Sequence, residues 1–349
     1  MEFLEDVPLA PLTTLAVGGP ARRYFAARDE AELIEALALA RERALATLIL
    51  GGGSNLLVAD AGFDGLALRI EDDGVEIEGE GDGVRVRAGA GLEWDALVAL
   101  MAARGLAGIA CLSGVPGRVG AAPIQNIGAY GQEIAERVIE VRAVARDTGA
   151  VVHFGAQECG FGYRWSHFKG AWRDRFVITA VTLRLEQGGP EVLRYAELQR
   201  HLGGAPCASP SEVREAVLAI RRGKSMVYDT SDPNHRSAGS FFVNPVVGAG
   251  EVEGVLARIR GALGEVEVPS WPAEAGGLKL SAAWLIERSG FGKGFVMGGA
   301  GLSTRHCLAV INRGQASAAE IVALAEAIQA GVAARFGVAL EPEPVMVGF

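Results

Sequence analysis

The stretch from Thr47 to Asn55, TLILGGGSN, decides how this chain is interpreted. Its apolar half, Thr47–Leu50, predicts a buried strand that stops at three glycines. Backbone N–H groups at glycines can approach an anion closely and cradle phosphate oxygens. The segment matches neither G-x-G-x-x-G, because Leu56 stands at the third glycine position, nor the P-loop, which needs G-K-[ST]. The residues alone leave a phosphate cradle and an ordinary glycine turn open.

The segments around this stretch predict mixed helices and strands. Asp29 and Glu32 resemble a capping box that opens a helix. Alternating apolar and charged residues predict an antiparallel hairpin around a Gly/Asp-rich turn, and apolar patterns predict a helix ending at Gly105 and three strands. These segments are 75–78 and 84–87 for the hairpin, 92–104 for the helix, and 138–145, 150–154 and 176–185 for the strands.

The second half of the chain continues this pattern. Helix starts are predicted at Ser209 and Ser317, each followed three residues later by glutamate. Gly223 and Gly337 are the corresponding stops, and a short strand is predicted at 338–340. The chain shows no internal repeat and no Pro- or Ser-rich linker, which indicates closely packed units.

Length and charge limit the class of protein. A chain of 349 residues is long for one hydrophobic core, so two or three compact units are expected. A formal charge of −9 disfavours nonspecific nucleic-acid binding, which needs a basic face. An anionic ligand must therefore be met by a local cationic cluster, and Arg221, Arg222 and Lys224 form one.

The distribution of apolar, cysteine and histidine residues limits location and cofactors. No apolar run approaches the ~18 residues of a membrane span, and the N-terminus MEFLEDVPLA carries acids where a signal peptide needs a basic region. A soluble, cytoplasmic protein is therefore expected. The four cysteines lie far apart and the five histidines lack ligand spacing, so neither disulfide framework nor metal is predicted.

A second glycine-rich segment, 113–131, is too long for a simple turn. Long structureless loops inside compact domains are usually functional. This one carries Gln125 and Asn126, whose amides can hydrogen-bond the edge of a heterocycle. A ligand-wrapping loop is the prediction, with a mobile surface loop as the alternative.

Six motifs occur in a family order across nearly the whole chain. They are PLTTL at 11–15, ILGGGSNLL at 49–57, PIQNIGAYG at 123–131, FGYRWSHF at 161–168, AGSFFVNP at 238–245 and LEPE at 340–343. Taken together they resemble the family of UDP-N-acetylenolpyruvoylglucosamine reductases, flavoenzymes of early peptidoglycan synthesis, in the class with a substrate-covering tyrosine loop. Such a set is far more specific than any single glycine loop.

The resemblance implies a fold and a reaction. The fold is α+β, with a two-lobed FAD-binding domain of the p-cresol methylhydroxylase/vanillyl-alcohol oxidase type and a C-terminal α+β substrate-binding domain. Its implied bounds are 1–70 with 337–349 for the first lobe, 71–223 for the second lobe, and 224–336 for the substrate domain. The reaction is NADPH-dependent reduction of UDP-N-acetylglucosamine enolpyruvate to UDP-N-acetylmuramate through noncovalent FAD, by a monomer without nucleic-acid or membrane partners.

The resemblance also implies three catalytic residues. Arg164 matches the family arginine, whose planar guanidinium can grip a carboxylate with two parallel hydrogen bonds. Glu343 matches the glutamate that completes the polarising pair, and Glu341 is the bystander. Ser240 matches the proton donor, although an unassisted hydroxyl is a weak acid. Arg164 as a surface ion pair and Ser240 as a packing residue are the structural alternatives.

Ligand contacts follow in the same way. The FAD contacts implied are Gly51, Gly52, Gly53, Ser54, Asn55, Leu56, Gly117, Gly120, Ala121, Gln125, Asn126, Ile178 and Arg221. The substrate contacts implied are Tyr163, Tyr195, Lys224 and Asn244, with Tyr195 on the mobile loop. Arg221 and Arg222 are equally well explained as the basic last turn of a helix, and Tyr130 as a packing residue.

The chain departs from the family pattern at two places. Val345 stands where members commonly have arginine, and Ala121-Ala122 replaces small hydroxyl or glycine residues. Two other functions remain as alternatives. One is an FAD-dependent sugar oxidase, which would use oxygen and need no nicotinamide; the other is a catalytically silent nucleotide-sugar binder.

Overall fold

The computed structural model describes residues 1–80 and 83–349, and the chain forms two compact units. The first unit contains residues 1–7, 21–53 and 63–228, and the second contains 8–20, 54–62 and 229–349. One boundary falls inside the glycine segment, between Gly53 and Ser54. The division into lobes at residues 70, 223 and 336 stays a prediction.

The α-helices confirm most of the predicted starts and stops. Ser209 and Ser317 form capping boxes, whereas the reciprocal bond of Glu32 goes to the backbone N–H of Arg28 and Asp29 alone caps the first helix. Gly105 and Gly337 follow their helices with positive φ. The helices are α1 (Glu30–Glu42), α2 (Trp94–Ala103), α3 (Ala196–His201), α4 (Pro210–Gly223), α5 (Val252–Leu263), α6 (Ala282–Arg288) and α7 (Ala318–Phe336).

The strands confirm the hairpin and all the strands predicted between residues 47 and 185. The turn at 81–82 lies outside the described residues. The strands are β1 (Leu4–Pro8), β2 (Pro20–Ala27), β3 (Thr47–Leu50), β4 (Leu56–Val58), β5 (Phe63–Ile70), β6 (Val75–Glu80), β7 (Gly83–Gly89), β8 (Leu106–Ala107), β9 (Gly128–Ala129), β10 (Gln132–Glu133), β11 (Val138–Ala145), β12 (Val151–Gly155), β13 (Phe176–Gln187), β14 (Glu191–Val192), β15 (Cys207–Ala208), β16 (Val246–Val247), β17 (Ser270–Pro272), β18 (Leu278–Leu280), β19 (Val296–Met297), β20 (Ala300–Leu302), β21 (Val310–Asn312) and β22 (Val345–Val347).

Two larger sheets build most of the first unit, beside the two-stranded pairs β9 with β10 and β14 with β15. One has the order β1-β2-β5-β3, in which β2 and β3 both pair parallel with β5. Helix α1 packs apolar residues such as Leu33 and Leu37 on this sheet. The other follows the antiparallel path β12-β11-β13-β7-β6 and buries Trp94 of α2 in its core. The glycine segment leaves the carboxyl end of β3, where ligands of open parallel sheets usually bind.

The second unit is built around helix α7. Its core packs Ile321, Leu324 and Ile328 of this helix with Phe241 and Phe242. Strand β4, which follows the glycine segment, pairs parallel with the C-terminal strand β22. Two segments that lie far apart along the chain therefore share one small sheet.

The terminal strand predicted at 338–340 is wrong. Val338 and Leu340 are buried alternately, as the pattern indicated, but they form no strand, and β22 begins at Val345. Residues 341–343 form only an isolated bridge, at Pro342, and the regular strand begins after Pro344, because proline lacks the N–H that a ladder requires. The prediction was correct about which of residues 338–340 are buried and wrong about their pairing in a sheet.

Across residues 1–80 and 83–349, no helix is both long and apolar enough to cross a bilayer. The same residues contain no group of three or more His, Cys, Asp or Glu suited to a metal ion.

Candidate active site

In the first unit, the glycine segment lies directly against the turn at 117–121. A Cβ added at Gly52 would stand 2.8 Å from Cα of Gly117, and one added at Gly51 would stand 3.6 Å from Cβ of Ala121. Gly53 and Gly117 have φ of 61° and 118°, which other residues rarely adopt. Side chains larger than hydrogen are thus excluded at Gly52, and backbone lines this surface.

The same turn is fastened to the antiparallel sheet. Gly120 N donates to Ala90 O at 3.1 Å, and Ala90 N donates to Thr179 O at 2.9 Å. A Cβ at Gly120 would lie 2.6 Å from that of Ala90, so glycine is required here too. Ile178, one of the predicted FAD contacts, is buried in the same strand, β13.

Arg221 lies at the end of α4 and holds two loops by their carbonyls. Its Nη2 donates to Gly114 O at 3.1 Å and to Met226 O at 2.7 Å, while its Nε is buried with no hydrogen-bond partner among the described residues. Burial lowers the pKa of this guanidinium. Asp95 accepts from Gly114 N at 2.6 Å and from Arg214 Nη2 at 2.8 Å. The start of the loop 113–131 is therefore held through both the N–H and the carbonyl of Gly114.

The middle of that loop is joined to the segment carrying Arg164. Arg164 Nη2 donates to Gly128 O at 2.8 Å, and Asn126 Nδ2 donates to Gly162 O at 2.9 Å. Gln125, which precedes Asn126 in the chain, is half-buried. The structure thus brings the predicted flavin loop and the predicted catalytic arginine into one cluster.

Arg164 and Tyr163 lie at the surface of the first unit. Tyr163 is 43% exposed, and the Arg164 guanidinium carbon lies 5.8 Å from the centre of its ring. Arg164 has φ of 53°, a left-handed conformation that is uncommon for a long side chain. Such strain persists where the surroundings enforce it, and it clusters at functional sites.

Tyr195 and Lys224 are each engaged within the first unit. The rings of Tyr195 and Tyr130 meet edge to face, with centroids 5.4 Å apart, and burial raises the pKa of Tyr130 to about 12. Lys224 Nζ lies 2.6 Å from Glu197 Oε2, on the helix that Tyr195 caps. Tyr130 therefore packs against Tyr195. Glu197 forms an ion pair with Lys224, the lysine that is predicted to bind the substrate.

In the second unit, the segments of Ser240 and Glu343 run side by side. Phe242 and Pro342 form an antiparallel bridge, and Glu343 N donates to Phe241 O at 2.8 Å. Ser240 directly precedes Phe241 in the chain. Residues about one hundred apart in sequence are thus held together by backbone hydrogen bonds.

Asn55 and Asn244 complete the predicted site residues of this unit. Asn55 Nδ2 donates to Glu343 O at 3.1 Å, and Asn55 O accepts from Val345 N at 2.9 Å. Asn244 Oδ1 accepts from Ala282 N at 2.9 Å, so its amide hydrogens remain the groups suited to a ligand. The side chain of Val345 is 44% exposed.

The predicted residues divide between the units. The second unit contains Ser54, Asn55, Leu56, Ser240, Asn244 and Glu343; all the others, including Arg164, belong to the first. Sequence reasoning assigned no role to Asp95, Glu197 or Ser166. Ser166 was visible as the serine of the FGYRWSHF motif, whereas no local pattern marked the other two.

Comparison with known proteins adds independent evidence. A model described as FAD binding domain matches residues 21–155, and one described as UDP-N-acetylenolpyruvoylglucosamine reductase, C-terminal domain, matches 232–347. The reductase of Thermobifida fusca (strain YX) is 47% identical, covering 99% of this chain and 98% of its own length. The chain belongs to the UDP-N-acetylenolpyruvoylglucosamine reductase family.

Other members agree with this assignment. The Nocardia farcinica (strain IFM 10152) reductase is 50% identical over 99% of this chain and 89% of its own. The crystal structure of the reductase from Thermus caldophilus matches with a TM-score of 0.68 and 27% identity, covering 99% of both chains. The predicted family and α+β fold class, with an FAD-binding domain and a distinct C-terminal domain, are confirmed.

The reductase family and the FAD-binding domain make this chain an FAD-dependent oxidoreductase, as predicted. Its own residues fit such a cofactor. At Gly52 only hydrogen fits against the Gly117 backbone, so this turn presents backbone groups where a side chain would otherwise stand, as a pyrophosphate site requires. Arg221 adds a buried Nε donor without a described partner.

Proposed function

We propose that this chain reduces UDP-N-acetylglucosamine enolpyruvate to UDP-N-acetylmuramate with NADPH, as a step in making peptidoglycan precursors. The observation that carries the proposal is the coincidence of full-length similarity to the reductases with the backbone pairing that joins the Ser240 and Glu343 segments. FAD, when bound, relays a hydride from NADPH to the enolpyruvyl group. The chain's residues must bind the substrate, stabilise developing charge and supply a proton.

Arg164 and Glu343 meet the substrate carboxylate in this proposal. Addition of hydride to the vinyl group pushes negative charge toward that carboxylate, and prealigned donors stabilise such charge. Arg164 suits the task because its guanidinium can make two parallel hydrogen bonds. Its strained φ of 53° supports a functional reason for its conformation.

Ser240 delivers the proton to the carbon next to the carboxylate. It follows Gly239, whose φ of 72° allows a sharp change in chain direction before the buried Phe241. The bridge to Pro342 then holds the serine backbone beside the glutamate segment. Position and hydrogen bonding compensate for the weak acidity of a hydroxyl.

Lys224, Tyr195, Tyr163 and Asn244 bind the nucleotide part. Lys224 supplies positive charge that an acidic chain must provide locally, and Asn244 offers amide hydrogens to the diphosphate. Tyr195 closes over the substrate, and an aromatic lid also excludes water. Gly51 to Asn55 would hold the FAD pyrophosphate, and Gln125 would contact the flavin.

The finer assignments are proposals of the same kind. The enzyme acts as a cytoplasmic monomer and uses NADPH as co-substrate, and residues 1–70 with 337–349, 71–223 and 224–336 form two FAD lobes and a substrate domain. Light scattering checks the first point, because a monomer has a mass of 36.4 kDa. A mass of twice that value would contradict it.

The decisive experiment is anaerobic absorption spectroscopy of the purified holoprotein. We expect flavin absorbance that NADPH bleaches and that the enolpyruvyl substrate restores, with UDP-N-acetylmuramate formed. Flavin that stays yellow with NADPH but is bleached by a sugar alcohol would indicate the sugar oxidase. Binding without any turnover would indicate the silent nucleotide-sugar binder.

A further inference from the structure

Three hydrogen bonds join residues 124–128 to residues 162–166 in the first unit. Ser166 Oγ donates to Ile124 O at 2.6 Å, Asn126 Nδ2 donates to Gly162 O at 2.9 Å, and Arg164 Nη2 donates to Gly128 O at 2.8 Å. The donors of two of these bonds are the side chains of Asn126 and Ser166, and the arginine side chain supplies the third. The turn that carries Arg164 is closed by the backbone bridge of Gly162 with Trp165, but its attachment to residues 124–128 depends on side chains.

Asn126 is committed to this junction. It is 1% exposed, and its second Nδ2 hydrogen goes to Glu133 Oε2 at 2.7 Å. Its Oδ1 accepts from Ala135 N at 3.1 Å. Both amide hydrogens are thus used inside the protein, and the side chain has none left to donate to a flavin.

The backbone explains why asparagine suits position 126. Its φ is 46°, in the left-handed region that asparagine and glycine adopt most readily. No other L-residue combines that tolerance with two amide hydrogens on a short side chain. Ser166, 0% exposed, has no solvent to replace its bond to Ile124 O.

We propose that Asn126 and Ser166 are positioning residues that set the place of the Arg164 guanidinium, and that Asn126 serves this purpose instead of binding FAD. The inference rests on the proposed function, because it assumes that Arg164 binds the substrate carboxylate. The Asn126 amide fastens the backbone two residues before the strained arginine, and the Ser166 hydroxyl fastens the chain two residues after it. Loss of either lets the guanidinium move away from the carboxylate.

The test compares two ligands that differ in that carboxylate. Asn126→Gly keeps the backbone conformation and removes the amide. We expect its affinity for the enolpyruvyl substrate, measured by calorimetry on the holoenzyme, to fall about tenfold, while its affinity for UDP-N-acetylglucosamine stays unchanged. Turnover should fall about 100-fold, as expected when a reacting group is displaced by ~1 Å. Ser166→Ala should act in the same direction with a smaller effect.

Controls separate positioning from general damage. Asp174, at φ of 60° and exposed, gives Asp174→Gly as a matched left-handed replacement, which should leave both affinities unchanged. In an Arg164→Ala background, Asn126→Gly should cause no further loss. FAD content and melting temperature show whether each variant is folded and loaded.

Three outcomes would overturn the inference. If Asn126→Gly lost FAD but still bound the enolpyruvyl substrate and UDP-N-acetylglucosamine with the normal ratio of affinities, Asn126 would be an FAD-binding residue. An equal loss of substrate affinity from Asn126→Gly in the wild-type and the Arg164→Ala backgrounds would show that Asn126 has only a structural role. An equal fall in affinity for both ligands would show the same. Failure of the wild-type enzyme to turn over the enolpyruvyl substrate would contradict the proposed function instead.

Discussion

Arg164 in the first unit and the pair Ser240 and Glu343 in the second are held by different mixtures of side-chain and backbone bonds. Arg164 lies in a tight turn closed by the backbone bridge of Gly162 with Trp165, but the side chains of Asn126 and Ser166 are what fasten this turn to the neighbouring loop. In the pair, the two segments are joined mainly by backbone groups, through the bridge of Phe242 with Pro342 and the bond from Glu343 N to Phe241 O, with one added bond from the Asn55 side chain to Glu343 O. Side-chain support can be lost with one substitution of a neighbour, whereas backbone pairing tolerates most substitutions beside it. The arginine region is therefore the more vulnerable to changes in residues that never touch substrate.

The largest effect should come from removing a functional group of the backbone-held pair. Ser240→Ala should slow substrate reduction about 1,000-fold, within the ~10²–10⁴ that general acid catalysis contributes. Flavin reduction by NADPH should stay normal, because the serine acts only on the substrate. Stopped-flow measurement of the two half-reactions checks this, and equal slowing of both would refute the assigned role.

A second test uses the two glutamates of the C-terminal motif. Glu343 is half-buried beside Phe241 O, whereas Glu341 is exposed and contributes its backbone carbonyl to Val243 N at 3.0 Å. Glu343→Gln should lower kcat about 100-fold, since a prealigned transition-state group is lost. Glu341→Gln is the matched control and should keep normal kcat, because its side chain takes no part in the pairing. A large loss in Glu341→Gln would show that the backbone pairing is less robust than we infer.

A third test asks how closely backbone must approach in the first unit. A Cβ at Gly52 meets the Gly117 backbone at 2.8 Å, so Gly52→Ala should weaken FAD binding by ~1–3 kcal/mol through overpacking. Gly79→Ala is the control, since a Cβ there meets nothing within 4 Å. Fluorescence titration of the apoprotein with FAD measures both. Equal FAD affinity in the two variants would mean that the glycine surface is an ordinary turn.

The smallest effect concerns the ion pair of Lys224 with Glu197. A substrate diphosphate must compete with this carboxylate, and pairs of this exposure contribute only ~0.2–1 kcal/mol. Glu197→Gln should therefore tighten substrate binding by a factor of about two to five. Glu136→Gln, which removes the partner of Arg194 instead, should leave the affinity unchanged. Weaker binding in Glu197→Gln would mean that Glu197 orients Lys224 for the substrate.

Local elements were predictable because local chemistry determines them. The strand at Thr47–Leu50 and the capping boxes at Ser209 and Ser317 follow from residues within a few positions of each other. The strand predicted at 338–340 failed where Pro342 and Pro344 moved the pairing to Val345. Apolar spacing indicates which residues are buried, but hydrogen-bond partners depend on the distant strand that is available.

The candidate site was predictable to a different degree in each part. The motifs predicted catalytic roles for Arg164, Ser240 and Glu343, and these roles stay proposals. The use of Asn126 was not predictable, because an amide suited to a heterocycle is equally suited to backbone carbonyls, and only burial decides between them. Glu197 was missed for a related reason: its ion pair with Lys224 spans 27 positions and leaves no periodic trace.

By itself, the sequence determined the family, the α+β class, the strand that ends at Leu50 before the glycines, and the residue types that can carry the chemistry. These depend on motifs and on periodicities of a few residues. Only the tertiary structure decided that the glycine segment contains the boundary between two units. It also decided that the backbone of Glu343 is hydrogen-bonded to Phe241 and Asn55, and that the Asn126 amide donates to Gly162 and Glu133. The physical reason is that hydrogen bonds and close backbone contacts join residues far apart along the chain, and no local pattern encodes which distant groups will meet.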